Sequence, residues 1–169
     1  FENRTVIVTG AGNGLGKAYA LDLGSRGAKV VVNDLGGAVD GSGSGSTPAD
    51  EVVNEIIANG GEAVANYDSV ATKEGGESIV QTAIDNFGTV DAVVNNAGIL
   101  RDKSFANMSE EELSLIIDVH LKGTFFVSQP AFKVMKENAY GRIVNVASPS
   151  GLFGNFGQSN YGAAKMGIV

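Results

Sequence analysis

Tyr161 and Lys165 bring a phenol and an ammonium group within four residues of each other. On a helix this spacing places both side chains on one face, one turn apart. Phenols and amines can both act in proton transfer. Such a pair also arises by chance, so its position matters: Ser148 lies 13 residues before Tyr161, just past an apolar run of strand length. Ser148, Tyr161 and Lys165 therefore form a candidate catalytic group.

The glycine-rich segment at 9–16, with the sequence TGAGNGLG, is a second candidate site. It follows an apolar run and opens a helix-like segment, so its glycines would let the backbone turn tightly and approach a pyrophosphate. Amides and the dipole at the start of the helix would meet the phosphate charge. A structural turn is the alternative, and the strand–loop–helix context favours the nucleotide site.

Asp34 closes the next apolar run, 18 residues after Gly16. Its carboxylate could accept hydrogen bonds from the ribose hydroxyls of an adenosine, and it would repel a 2′-phosphate. Asn13 adds no cation for that phosphate, so the sequence predicts NAD rather than NADP as the cofactor. Asp68, after the third apolar run, could bond the adenine edge or could simply cap the end of a strand.

Five apolar runs without polar alternation must position these residues, and they predict strands buried on both faces of a parallel sheet. The runs are Thr5–Thr9, Lys29–Asn33, Glu62–Asn66, Ala92–Asn95 and Arg142–Val146. Helix-like segments alternate with them at Leu15–Arg26, Pro48–Asn59, Gly76–Phe87 and Glu110–Lys136. The pattern predicts an α/β fold, a Rossmann-type doubly wound parallel sheet with helices on both faces. The carboxyl ends of its strands would converge on one ligand cleft.

Local signals add detail to this pattern. Thr47 before Pro48 predicts a helix N-cap, and Ser109 with Glu112 predicts a capping box. The Gly- and Ser-rich stretch Leu35–Ser46 predicts a mobile loop. No repeat or change of composition divides the chain, so we expect one domain over residues 1–169.

Composition excludes several classes of function. The chain has no Cys and one His, which removes disulfide scaffolds and Cys nucleophiles, and no metal site is expected. A net charge of -7 argues against a nucleic-acid partner. No apolar run approaches the ~20 residues of a membrane span, and the first residues do not resemble a signal peptide. We expect a soluble intracellular protein that is not secreted.

The order and spacing of four motifs resemble the short-chain dehydrogenase/reductase family. The motifs are Thr-Gly-x-x-x-Gly-x-Gly from Thr9, Asn95-Asn96-Ala97-Gly98, Ser148, and Tyr161-x-x-x-Lys165. Longer stretches at 32–37, 98–102 and 147–166 resemble its (3R)-hydroxyacyl-CoA dehydrogenase branch, which occurs as a domain of peroxisomal multifunctional enzymes. The resemblance implies an NAD-dependent oxidoreductase acting on CH-OH groups, most closely one that converts (3R)-3-hydroxyacyl-CoA to 3-ketoacyl-CoA.

Other functions stay open at this point. Within the same chemistry, a hydroxysteroid dehydrogenase or a 3-ketoacyl-acyl-carrier-protein reductase remains possible. From another class comes a non-catalytic nucleotide-binding fragment, because the family continues past the position of Val169 with further strands and with the helices that cover the substrate. We expect those C-terminal elements to be missing from this chain. The compartment would be the cytoplasm in a bacterium and the peroxisome in a eukaryote.

The resemblance assigns roles to the candidate residues. Tyr161 would exchange the proton of the substrate hydroxyl, Lys165 would stabilise its phenolate and bind the nicotinamide ribose, and Ser148 would hydrogen-bond the reacting oxygen. A cation at ~4 Å in an effective dielectric of ~20 stabilises a phenolate by about 4 kcal/mol. The expected cofactor-binding residues are Gly10, Asn13, Gly14, Leu15, Gly16, Asp34, Asp68, Ser69, Asn96, Ala97, Gly98, Tyr161 and Lys165.

Three further features are interpreted beside the same resemblance. His120 stands where many family members carry Asn in a water-linked proton path, so it is either a buried core residue or a proton relay. Phe153 and Phe156 could touch an apolar substrate or belong to the core. The segment Glu110–Lys136 carries more apolar residues than one buried stripe needs, among them Phe125 and Phe132. The resemblance implies that this segment forms the interface of a homodimer or homotetramer.

Overall fold

The computed structural model describes residues 1–169 and contains one five-stranded sheet. Its strands are β1 Thr5–Thr9, β2 Lys29–Asn33, β3 Glu62–Asn66, β4 Ala92–Asn95 and β5 Arg142–Asn145. They lie in the order β3-β2-β1-β4-β5, and every neighbouring pair is parallel. The sheet confirms the predicted fold class. The strand order reverses between β1 and β4, which is the place where such sheets form their ligand crevice.

Seven α-helices connect or follow the strands. They are α1 Gly14–Ser25, α2 Thr47–Ala58, α3 Lys73–Phe87, α4 Glu110–Ile116, α5 Gly123–Glu137, α6 Pro149–Phe153 and α7 Ser159–Ile168. A 3₁₀ turn covers Phe105–Asn107, and a π-helical segment covers Ile117–Lys122. None of the helices combines the length and the apolar character that crossing a bilayer would require.

The central strands β1 and β2 are buried on both faces because helices cover both sides of the sheet there. For the edge strand β5 the predicted burial is wrong: its residues are exposed, among them Ile143 (38%) and Val144 (51%). On one side, Val6, Val8, Val30 and Val32 pack in a cluster with residues of α1 and α2 such as Val52. On the other side lies a cluster of β1, β2, β4, α3 and α5 residues that includes Ile7, Val31, Val93, Ile79 and Val127. Alternate side chains of β1 and β2 thus enter opposite layers, which explains why the sequences of these two strands lack polar alternation.

The long helix predicted over Glu110–Lys136 is wrong as a single element. It is divided into α4, the π-helical segment and α5. The capping box at its start is confirmed: the Ser109 hydroxyl accepts from the Glu112 amide, and the Glu112 carboxylate accepts from the Ser109 amide. Periodicity of apolar residues cannot separate a π-helical turn from the α-helix around it, because the turn holds only one extra residue.

A proline inside α5 leaves a backbone carbonyl without its helical donor at the place where α5 packs on α3. Pro130 has no amide hydrogen, so the carbonyl of Phe126, four residues earlier, lacks its usual helical donor. Gly76 of α3 packs on this carbonyl so closely that a Cβ there would lie 2.4 Å from the Phe126 oxygen. A glycine is therefore required where the two helices cross.

Two other local predictions can be compared with the structure. The N-cap predicted at Thr47 is wrong by one position, because α2 already begins at Thr47, after Ser46, and no side chain caps it. The loop predicted to be mobile folds back on itself through a bond from the Gly45 amide to the Leu35 carbonyl. Its tip reaches the chain after β4, where the Leu100 amide donates to the Val39 carbonyl at 3.0 Å. Its mobility stays a prediction.

Packing of the sheet against α3 predicts the effect of removing a core side chain. Ile79 is fully buried in the α3 and α5 layer, whereas Ile57 of α2 is 53% exposed. We expect Ile79→Ala to lower the free energy of unfolding by about 2–5 kcal/mol and Ile57→Ala to change it by about 0.5 kcal/mol or less. Urea unfolding of both variants measures the difference, and equal losses would contradict the assigned core.

Candidate active site

A groove of about 430 Å³ opens at the carboxyl ends of β1, β2 and β4. Ten of the thirteen predicted cofactor-binding residues line it, namely Gly10, Asn13, Gly14, Leu15, Asp34, Asp68, Ser69, Asn96, Ala97 and Gly98. Gly16, Tyr161 and Lys165 do not line it. The loop between β2 and α2 also contributes wall residues, including Val39 and Gly41. The groove lies at the topological switch point of the sheet, as such a site requires.

The glycine-rich segment fits a phosphate for two reasons. Gly10 and Gly14 have φ values of +62° and +54°, and a Cβ on Gly10 would lie 2.7 Å from the Cα of Ala97. Gly16 packs directly against this turn, since a Cβ at position 16 would lie 2.1 Å from the carbonyl oxygen of Gly10. Asn13 precedes α1 without a side-chain capping bond, so the first amides of α1 keep their capacity to bind an anion.

The Asp34 carboxylate is fixed at the end of β2. Oδ2 accepts from the Gly12 amide and Oδ1 from the Gly36 amide, each at 2.7 Å. A carboxylate oxygen can accept more than one hydrogen bond, so both oxygens retain capacity for ribose hydroxyls. The side chain therefore couples the glycine-rich segment to the edge of the groove where an adenosine would lie.

Thr9 joins β1 to the chain after β4, a role that the sequence reasoning missed. Its hydroxyl oxygen accepts from the amides of Asn96 (3.1 Å) and Ala97 (3.0 Å). The Asn96 side chain returns the connection by donating to the carbonyls of Thr9 and Gly10, both at 3.0 Å. Thr9 stands in the motif that suggested the nucleotide site, but only the neighbouring strand shows what its hydroxyl holds.

Asp68 is engaged in a polar network after β3. Its Oδ2 accepts from the Asn66 side chain (2.9 Å) and the Ser78 hydroxyl (2.7 Å), and its carbonyl accepts from Asn33 (2.9 Å). The next residue, Ser69, accepts from the Ala71 amide at 3.2 Å. The strand-end anchoring that was one alternative for Asp68 is thus observed, and its contact with adenine stays a prediction.

Lys165 is buried on α7, one turn after Tyr161. It is 4% exposed, and Nζ donates to the Val146 carbonyl at 2.6 Å, just past β5. Nζ also lies 5.6 Å from the centre of the Tyr161 ring. Burial lowers the pKa of Lys165 to about 8, because removing the ammonium from water disfavours its charge. The predicted Tyr–Lys pair on one helix face is therefore present.

Ser148 begins α6, and its hydroxyl oxygen accepts from the Ser150 amide at 3.2 Å. It therefore acts as a helix N-cap, which uses an acceptor position and leaves the hydroxyl hydrogen free to donate. α6 packs on α7 at Lys165, since a Cβ on Gly151 would lie 3.1 Å from the Cβ of Lys165. The sequence signal for this cap, Ser148 followed by Pro149, resembles the start of a helix.

His120 lies in the π-helical segment and is 3% exposed. Its Nε2 lies 2.8 Å from the Ile99 carbonyl and 3.1 Å from the Ile99 amide, while Nδ1 is buried without a partner. The ring packs edge-to-face on Tyr161 with centroids 5.1 Å apart. A Cβ on Gly98 would lie 2.5 Å from its Cε1, so glycine at 98 makes room for the ring. His120 thus connects the groove to Tyr161.

Burial makes His120 a neutral imidazole near pH 7. Its pKa is lowered to about 4, mainly by loss of solvation; the hydrogen bond with the Ile99 backbone opposes this shift, and the charge of Lys165 adds to it. In the tautomer whose Nε2 donates to the Ile99 carbonyl, Nδ1 is an acceptor; in the other tautomer, Nε2 accepts from the Ile99 amide and Nδ1 carries the hydrogen. The neutral ring is therefore suited to supporting Tyr161 and the chain at Gly98.

Phe153 and Phe156 are 86% and 91% exposed, so of the two alternatives for them a place in the core is wrong, and contact with an apolar substrate stays a prediction. Both lie between Ser148 and Tyr161 in the chain, Phe153 at the end of α6 and Phe156 on the segment that joins α6 to α7. Phe125 and Phe132 of α5 are also exposed, at 63% and 57%.

Comparison with known proteins supplies the family. A sequence profile described as short chain dehydrogenase matches residues 4–169. The chain belongs to the short-chain dehydrogenase family. The peroxisomal hydratase-dehydrogenase-epimerase of Saccharomyces cerevisiae is 61% identical over the whole chain, which spans 19% of that protein. The peroxisomal multifunctional enzyme type 2 of Mus musculus is 58% identical over the whole chain, which spans 23% of it.

A solved structure shows the same arrangement of the family fold. The crystal structure of a short chain dehydrogenase from Mycobacterium avium superposes with a TM-score of 0.90 and 49% identity, over 99% of this chain and 60% of that one. The chain thus spans less than two thirds of the length of each of these relatives.

The buried His120 predicts a pH-dependent stability. Unfolded His binds a proton near pH 6.5, whereas the folded chain resists protonation until about pH 4. Falling pH therefore stabilises the unfolded state first, and we expect the free energy of unfolding to drop by up to about 3 kcal/mol between these values. Urea unfolding of the wild type and of His120→Gln at about pH 7 and about pH 4.5 isolates the contribution of His120 to the pH dependence of the free energy of unfolding. Equal pH dependence in both proteins would contradict it.

Proposed function

We propose that this chain carries the cofactor-binding half and the proton-transfer group of an NAD-dependent dehydrogenase acting on a secondary alcohol. The observation that carries the proposal is the buried Lys165 one helical turn from Tyr161, joined through His120 and Gly98 to a groove built for a dinucleotide. When bound, the nicotinamide would accept or supply the hydride. The remaining chemistry belongs to the side chains.

Two parts of the groove support NAD as the cofactor, one for the pyrophosphate and one for the adenosine ribose. The glycine-rich segment and the start of α1 would hold the pyrophosphate. Asp34 would accept hydrogen bonds from the adenosine ribose, and its negative charge would oppose a 2′-phosphate. Backbone groups of Asn96, Ala97 and Gly98 would line the nicotinamide side, since these residues form the groove wall that leads to His120.

Tyr161 would exchange the proton of the substrate hydroxyl. In the oxidation direction its phenolate takes this proton, and in reduction the phenol returns it. The ammonium group of Lys165, held by the Val146 carbonyl, stabilises the phenolate through its charge. Burial strengthens this attraction, because little water remains to screen it. Lys165 would also reach the nicotinamide ribose.

Ser148 and His120 would support the reacting group without forming covalent bonds. The Ser148 hydroxyl retains its hydrogen and would donate it to the reacting oxygen. For His120 two roles remain: a neutral packing group that holds the Tyr161 ring, or a member of a proton path through Nδ1. The low pKa of the imidazole supports the first role, because a charged relay state is costly near pH 7.

The substrate class that we propose is a (3R)-3-hydroxyacyl-CoA, converted to the 3-ketoacyl-CoA. The exposed Phe153 and Phe156 beside the catalytic segment favour an apolar substrate.

The multifunctional relatives are named peroxisomal, which supports a peroxisomal location in a eukaryote. A homodimer or homotetramer would cover the exposed Phe125 and Phe132 of α5. The alternative functions are hydroxysteroid oxidation, reduction of acyl-carrier substrates and nucleotide binding without catalysis.

The direct test measures NADH formation by the purified full-length protein with NAD and 3-hydroxybutyryl-CoA. Parallel reactions use a hydroxysteroid and, in reverse, a 3-ketoacyl-acyl-carrier substrate with NADH. Turnover of the acyl-CoA supports the proposal, and turnover of another substrate alone replaces the substrate class. Cofactor binding without turnover of any substrate would refute the proposed dehydrogenase activity and would support a nucleotide-binding protein without catalysis.

Tyr161→Phe removes the phenolic hydroxyl and keeps the ring against His120. We expect kcat to fall by about 10²–10⁴-fold, the usual value of general acid–base catalysis, while NADH fluorescence shows unchanged cofactor binding. The matched control is Tyr19→Phe on α1, whose side chain does not line the groove. A Tyr161→Phe enzyme that retains most activity would rule out the proton-transfer role.

Asp34→Ser tests the choice of cofactor. The change removes a charge and acceptors from the end of β2, so we expect the preference for NAD over NADP, as the ratio of kcat/KM values, to narrow by about 10- to 100-fold. Asp22→Ser is the control, because Asp22 pairs with Arg26 on α1, outside the groove. An unchanged ratio would show that Asp34 does not discriminate between the cofactors.

A further inference from the structure

Asn160, the residue before Tyr161, is 1% exposed and uses its whole side-chain amide in hydrogen bonds. Its Nδ2 donates to the backbone carbonyls of Arg101 (3.0 Å) and Glu112 (3.1 Å). Its Oδ1 accepts from the Tyr161 amide at 2.8 Å. Both amide hydrogens are therefore bound to carbonyl groups of other segments.

The three bonds join three parts of the site. Arg101 follows Gly98 and Ile99 on the chain that leaves β4, Glu112 lies in the first turn of α4, and Tyr161 lies in the first turn of α7. The first amides of a helix have no acceptor within that helix. Gln158, at the N-cap of α7, provides no side-chain capping bond. Asn160 supplies the acceptor for Tyr161 and fixes the start of α7 to the two other segments.

We propose that Asn160 is a positioning residue that sets the place of the Tyr161 hydroxyl relative to Lys165 and the groove. The inference rests on the proposed function, since it takes Tyr161 as the proton-transfer group. Proton transfer requires heavy atoms about 2.6–3.2 Å apart. A displacement of about 1 Å can cost about 10²-fold in rate. Removing the amide leaves three partly buried backbone groups without this partner, so the first turn of α7 would shift to satisfy them.

The groove itself depends on other residues. Neither Asn160 nor Arg101 nor Glu112 lines it. Loss of the Asn160 amide should therefore affect the rate of proton transfer and leave the cofactor affinity intact. A residue that serves only stability would lower the melting temperature without changing the rate of each folded molecule.

The test compares Asn160→Ala with the wild type in the full-length protein. We expect kcat to fall by about 10- to 100-fold, with the dissociation constant for NADH within about twofold. The pH at which kcat/KM reaches half its plateau should rise, because a displaced phenol gains less from the charge of Lys165. NADH titration gives the fraction of folded sites, and rates are expressed per site. Asn138→Ala is the control, since Asn138 also bonds another segment, through Thr89, at an exposed position.

Asn160→Asp guards against a variant that does not fold. The carboxylate keeps the shape and the acceptor for the Tyr161 amide, and an acid is favourable in the first turn of a helix. It no longer donates to the Arg101 and Glu112 carbonyls, so we expect a similar loss of kcat. Wild-type kcat and an unchanged pH profile in Asn160→Asp, whether or not Asn160→Ala folds, would overturn the positioning role. Absence of turnover in the wild type would instead overturn the proposed function.

Discussion

The close approach of β1 to the chain that leaves β4 is the constraint on which the rest of the site depends. Thr9 and Asn96 exchange hydrogen bonds across this junction, and Gly10 lies against Ala97 with no room for a side chain. The next residue, Gly98, leaves space for the His120 ring, which packs on Tyr161 in turn. The groove and the proton-transfer pair are thus built on one continuous set of contacts.

A buried ammonium in an acidic chain is costly, and the structure shows how little compensates it. The Val146 carbonyl is the hydrogen-bond acceptor of Lys165, and burial moves its pKa towards neutrality. Perturbed ionisable groups of this kind are concentrated at functional sites. The same low polarity keeps His120 neutral, so one environment holds a charged amine and an uncharged imidazole side by side.

Much of this arrangement could be predicted from the sequence, because its signals are local. The five strands, the glycine-rich segment, the capping box at Ser109 and the helical spacing of Tyr161 and Lys165 all depend on near neighbours in the chain. The function of Thr9 and Asn160 could not be predicted, since their partners lie about 50 to 90 residues away. The π-helical segment was also hidden, because its distinguishing feature is a hydrogen-bond pattern that leaves the apolar spacing nearly unchanged.

The packing of α5 on α3 constrains the number of residues between His120 and Phe126. The His120 ring contacts Ile99 and Tyr161, while the Phe126 carbonyl contacts Gly76. Both residues belong to one continuous run of helix, the π-helical segment followed by α5. One residue inserted or deleted between them would rotate one partner by about 100° relative to the other. A change of length between His120 and Phe126 would therefore break one of these two contacts even if every side chain in the segment were kept.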